Sequence, residues 1–132
     1  MELHPNVLIL LTIPGSTTSK QVKAYARTIS SNVNELDISR VRLTTTLWKE
    51  ILNMLDKHPS DIINMNHPIY RQKMKDINPT MHGYLNILLN TPEVLKGPIA
   101  VWNKKAVLCK KPTDILKLPL DKKIKLNVDH EV

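Results

Sequence analysis

A chain of 132 residues, 42% hydrophobic and 23% charged, has the length and balance of one globular domain and excludes wholesale disorder. Its one cysteine, Cys109, excludes an intrachain disulfide, a CxxC dithiol and a cysteine-rich metal cage, and 4% aromatics without phenylalanine leave no stacking platform for single-stranded nucleic acid. The formal charge of +7, from 19 Lys+Arg against 12 Asp+Glu, attracts anions and acidic faces, but no recognition motif accompanies the dispersed lysines, so direct nucleic-acid binding is not expected.

The apolar run over residues 7–13 covers about a third of a bilayer. Neither a basic leader nor a small-residue cleavage site flanks it, so no export or membrane segment is read there. It reads instead as a central strand covered on both faces. The lone thiol then fits a reducing cytoplasm. Pro14-Gly15 ends the strand, and the hydroxyl cluster Ser16-Thr17-Thr18-Ser19 follows. Val22, Tyr25, Ala26 and Ile29 recur at helical spacing, which predicts a helix over about 19–30 with Thr18 or Ser19 as N-cap.

Alternating apolar positions over 32–38 predict a second strand. Leu47, Ile51, Met54 and Leu55 mark a second helix, capped by Thr45 or Thr46 and stopped ahead of Pro59. Residues 59–78 read as helical fragments broken by Pro68. Asn78-Pro79-Thr80 opens another helix carrying Met81, Tyr84, Leu85 and Leu88 on one face, and Thr91-Pro92-Glu93 opens a short one. The segment 97–102, the turn Asn103-Lys104-Lys105 and the return 106–109 form a β-hairpin. A last short helix starts at Pro112. The expected fold class is α/β and thioredoxin-like: a mixed four-stranded sheet flanked by helices, with a helical insertion in the middle. The domain is expected to span 1–118, followed by a weakly structured, lysine-rich tail over 119–132.

The loop Pro14-Gly15-Ser16-Thr17-Thr18-Ser19-Lys20 resembles the active-site loop of glutaredoxin-coupled arsenate reductases. So does the block Lys96-Gly97-Pro98-Ile99-Ala100-Val101, followed by Ala106-Val107-Leu108-Cys109-Lys110-Lys111-Pro112, and so does the segment from Ile62 to Tyr70. The resemblance covers about 7–116 and extends to the related Spx-type transcription regulators. It implies that the reductases' nucleophilic cysteine corresponds to Ser16. A serine hydroxyl stays protonated where a thiol at a helix N-terminus ionises, and oxygen cannot carry thiol exchange with glutathione. It further implies that the family's oxyanion-binding arginines correspond to Gly97 (beside Lys96), Lys110 and Asn64. Lysine supplies charge without the bidentate fork.

The altered positions predict a binding or regulatory module without reductase activity. Two other readings stand beside it: a residual thiol-dependent oxidoreductase using Cys109 with glutathione, and an Spx-like regulator contacting RNA polymerase. Ser16, Thr17, Thr18, Ser19, Lys20 and Lys110 are candidate anion-binding residues; the hydroxyls also suit a plain helix cap. Partners would be an acidic protein or a small oxyanion, with glutathione needed only for residual activity and no cofactor expected. Cys109 reads as a small buried residue or, beside Lys110 and Lys111, as a thiol of lowered pKa. The resemblance implies a cis Gly97–Pro98 bond; a trans proline opening a strand is the other reading. The five histidines show no ligand spacing, so no metal site is expected.

Overall fold

A computed structural model describes residues 6–75 and 78–119. The first apolar run forms β1 (Leu8–Thr12), buried along its whole length. It is followed by α1 (Thr17–Ile29), β2 (Val33–Asp37), α2 (Thr45–Leu55), α3 (Pro59–Ile62), α4 (Pro68–Lys73) and α5 (Met81–Asn90). A 3₁₀ helix, Pro92–Val94, leads to β3 (Ile99–Trp102) and β4 (Lys105–Leu108), and a second 3₁₀ helix covers Pro112–Lys117. The sheet order is β2-β1-β3-β4. Parallel β1 and β2 pair Leu8 with Val33 through Thr12 with Asp37. Antiparallel β3 pairs Leu11 with Ile99 and Ile9 with Val101. This is the mixed four-stranded sheet that the sequence predicts, with the helical insertion between β2 and β3.

Alternation along β1 divides the core. Ile9 and Leu11 face Trp48 and Ile51 of α2 and Leu88 of α5, while Leu8 and Leu10 face Val22 and Ala26 of α1 and Ile115. One strand therefore organises two apolar layers, which requires a continuous hydrophobic run rather than a half-polar one. The insertion is stitched back to the sheet. Asn64 N donates to Val94 O at 2.7 Å and Lys96 N to Ile62 O at 2.8 Å, around the bridge between Ile63 and Leu95.

Several boundaries differ from the sequence expectation. The cap of α2 is Thr44, whose hydroxyl accepts from Leu47 N at 3.1 Å, not Thr45 or Thr46. Pro68 opens α4 at a first-turn position rather than breaking a helix; His67 Nδ1 accepts from Ile69 N at 3.2 Å. Proline suits that position because its missing N–H has no intrahelical acceptor there. The hairpin turn contains two residues, Asn103 and Lys104, both at positive φ (47° and 64°), as a type I′ turn requires. The return strand accordingly begins at Lys105. Of the predicted 119–132 tail, residues 120–132 lie outside the described residues.

Candidate functional site

The loop after β1 closes on itself. Gly15 turns the chain at φ +76°. Ser16 N donates to Ile13 O at 3.2 Å, and Ser16 Oγ accepts from Ser19 N at 3.1 Å. Ser19 Oγ accepts from Ile13 N at 3.0 Å, and Ser19 is buried. Ser16 is therefore the N-cap and the helix begins at Thr17, not near Ser19. A periodic apolar pattern locates a helix body, but four consecutive hydroxyl residues are each chemically able to cap it. Two of the four hydroxyls thus bind the loop's own backbone. The N–H groups of Thr17 and Thr18, at the first two helical positions, have no intrahelical acceptor. Lys20 is exposed one turn on.

Replacing Ser16 by alanine removes the cap bond to Ser19 N. The expected loss is about 1 kcal/mol of stability, read as a lower urea midpoint with unchanged slope; an unshifted midpoint would show that the cap contributes nothing.

Sheet pairing brings the other candidates to this end of the molecule. The end of β1 lies beside the start of β3, and Cys109 N donates to Pro98 O at 2.8 Å, so the segments around Ser16, Pro98 and Lys110 leave the sheet at the same end of its strands. Lys96 and Lys110 are exposed there. The chain segments that carry them touch: a Cβ added to Gly97 would lie 2.3 Å from Cys109 O and 3.6 Å from Lys110 Cα. This backbone has no room for the arginine that the resemblance places at 97. The expected cis Gly97–Pro98 bond is corrected, since the described residues contain no cis peptide. Pro98 is an ordinary trans proline preceding β3, and its carbonyl still joins the ladder.

Cys109 is fully buried, packed among Leu8, Leu10, Ala100 and Ile115. Burial pushes its thiol up to about 12, the Asp114 carboxylate adding to the rise, against smaller lowering effects from Lys117 and the Ala100 backbone. The expectation that neighbouring lysines lower this pKa is thus reversed. Lys110 and Lys111 turn their N–H groups to Asp114 Oδ2, each at 3.0 Å, and Lys110 is exposed while the sulfur is not. Asp114 is buried. Burial alone would raise its carboxyl, but the Lys111 N–H, the Lys117 ammonium and the Lys110 N–H together hold it below the usual carboxylate range. Lys117 Nζ stands 3.1 Å from Oδ1 as an ion pair, without hydrogen-bond alignment.

Asp114 is the residue that reading the sequence missed at this end of the sheet. Pro112 followed two residues later by Asp114 is an N-terminal signature of proline in the first turn and an acid at its end. That signal was available, but only the fold shows that the carboxylate also anchors the segment after β4.

No helix of the described residues is long and apolar enough to cross a membrane. No family model matches the chain. It is 25% identical over 118 residues to the regulatory protein MgsR of Bacillus subtilis, covering 89% of this chain and 94% of MgsR. It is 24% identical over 100 residues to the global transcriptional regulator Spx of Lactiplantibacillus plantarum, covering 75% of this chain and 76% of Spx. The arsenate reductase of Vibrio cholerae superposes with a TM-score of 0.78 at 13% identity, covering 87% of this chain and 99% of the reductase.

Proposed function

We propose that this chain, similar to MgsR and Spx in sequence and to arsenate reductases in fold, is a regulatory binding module of the Spx and MgsR kind rather than a reductase. The observation that carries this reading is the state of its one thiol. Cys109 is fully buried, and burial pushes its thiol up to about 12, which keeps it protonated at neutral pH. A thiol cycle needs an accessible thiolate, and Ser16, which the resemblance matches to the reductase nucleophile, caps α1 with its hydroxyl. The lack of space at Gly97 for an oxyanion-binding arginine supports the same reading. The +7 charge suits an acidic protein face, and the likeness to Spx makes RNA polymerase the first partner to test.

Two measurements test it together. Arsenate turnover with glutathione and glutaredoxin is expected to stay at the background of a Cys109→Ser variant, with native Cys109 resisting alkylation until urea unfolds the chain. Turnover abolished by Cys109→Ser would overturn the regulatory reading in favour of a thiol-dependent reductase. The tagged full chain is expected to retain purified bacterial RNA polymerase in a salt-sensitive way; failure to retain it at low salt would remove polymerase as the partner.

A further inference from the structure

The connection from β2 to α2, the last turn of α5 and the 3₁₀ helix Pro92–Val94 border a half-open cavity of about 200 Å³. Leu43, Trp48 and Leu88 line it, and all three are core residues. Arg40, Arg42 and Glu93 bring charge to it. Arg42 Nη2 donates to Asn90 Oδ1 at 3.0 Å. That exposed bond links the β2–α2 connection to the end of α5 across 48 residues of sequence and places the guanidinium at the rim of the cavity. Its acceptor is a neutral amide, so it orients the charge without cancelling it.

Arg40 is only loosely engaged: its Nε lies 3.9 Å from Asp37 Oδ2 and its side chain is 85% exposed. Asp37 is already committed to Ser39, whose N–H and hydroxyl reach Oδ1 at 2.8 and 2.6 Å. The position in the fold is also favourable. Parallel β1 and β2 end side by side, Ile38 N donating to Thr12 O at 3.0 Å. The helices that follow them pack on opposite faces of the sheet. The cavity lies just past the carboxyl end of β2, on the sheet face that α2 and α5 cover.

We propose that this cavity binds a small organic monocarboxylate, its carboxylate on the Arg42 guanidinium and its apolar body toward the half-buried Val41, Leu89 and Pro92. A planar guanidinium offers two parallel donors to a carboxylate. The volume equals about seven waters at roughly 30 Å³ each, enough for a ligand the size of benzoate and too small for a nucleotide. Half-buried Glu93 supplies negative charge that repels a phosphate dianion more than a monoanion. This site is separate from the Ser16 loop, and the inference does not depend on the regulatory reading.

The test is an amide-resolved NMR titration of the full chain with benzoate, compared with neutral benzyl alcohol and with inorganic phosphate. Benzoate is expected to give saturable shifts confined to residues 38–43 and 88–93, while the other two give none. Arg42→Gln is expected to weaken benzoate about tenfold; Arg42→Lys, which keeps charge without the fork, is expected to fall between. Because Arg42 is exposed, both variants should keep the wild-type urea midpoint. Absence of saturable benzoate shifts up to about 10 mM, affinity unchanged in Arg42→Gln, or phosphate binding as tightly as benzoate would each overturn the proposal.

Discussion

Gly97→Ala is expected to destabilise the protein by about 3 kcal/mol or more, a large part of the stability of an ordinary domain. The reason is a backbone contact, not a glycine conformation. The added methyl carbon would meet Cys109 O at 2.3 Å and Cys109 C at 3.1 Å. Neither atom belongs to a flexible side chain, so relief requires moving the chain after β4 away from the start of β3. That movement opens the bond from Cys109 N to Pro98 O and disturbs the packing of Cys109 against Leu10 and Ile115. Gly83→Ala is the internal control. Its new Cβ would find only Thr80 Oγ1 at 3.6 Å, an ordinary contact, and its position within α5 makes alanine better than glycine by about 0.5–1 kcal/mol. Opposite shifts of the two urea midpoints are expected. A Gly97→Ala protein as stable as wild type would mean that the two strands do not approach this closely, and would reopen position 97 to a side chain.

That contact illustrates what was legible in the sequence and what was not. The sheet is partly written in local patterns: an unbroken apolar run for β1 and a hairpin between two apolar stretches around Asn103-Lys104; β2 forms where expected, but its Val33 and Leu36 pack on opposite core layers instead of alternating on one face. Helix bodies follow from spacing alone, as for Val22 and Ala26, which both reach the core. Helix ends were less legible. Ser16 and Thr44 win the capping positions over adjacent hydroxyl residues because tertiary placement of the loop, not propensity, decides which side chain reaches the free N–H groups. The site was legible as a resemblance but not as geometry. The exclusion at Gly97, the carboxylate of Asp114 beneath Lys110 and Lys111, and the Arg42–Asn90 bond all join residues through the folded chain. The single thiol was legible as a small buried residue; only the alternative drawn from the two following lysines, a lowered pKa, fails, because burial raises it.

Asp114→Ala is expected to cost about 2–4 kcal/mol near neutral pH, from two hydrogen bonds to a charged acceptor at about 1.5–3 kcal/mol each that do not add in full. The variant leaves the N–H groups of Lys110 and Lys111, each 3.0 Å from Oδ2 in the wild type, to find water at a part-buried edge. Lys117 is a minor contributor because its side chain is 70% exposed, and an exposed ion pair is worth under about 1 kcal/mol; Lys117→Ala should therefore reproduce little of the loss. The pH dependence separates the carboxylate from mere side-chain volume. The folded pKa of Asp114 is lowered despite its burial, so the unfolded chain binds the proton more readily than the native one. The carboxylate's contribution is then complete above the unfolded pKa of about 3.9 and disappears as pH falls through the lower folded value. The stability gap between wild type and Asp114→Ala should be constant from about pH 7 to 5 and narrow below about 4. Urea midpoints measured across that range decide it. A gap that persists undiminished in acid would assign the loss to packing, and with it the anchoring of the Lys110–Lys111 segment to something other than this negative charge.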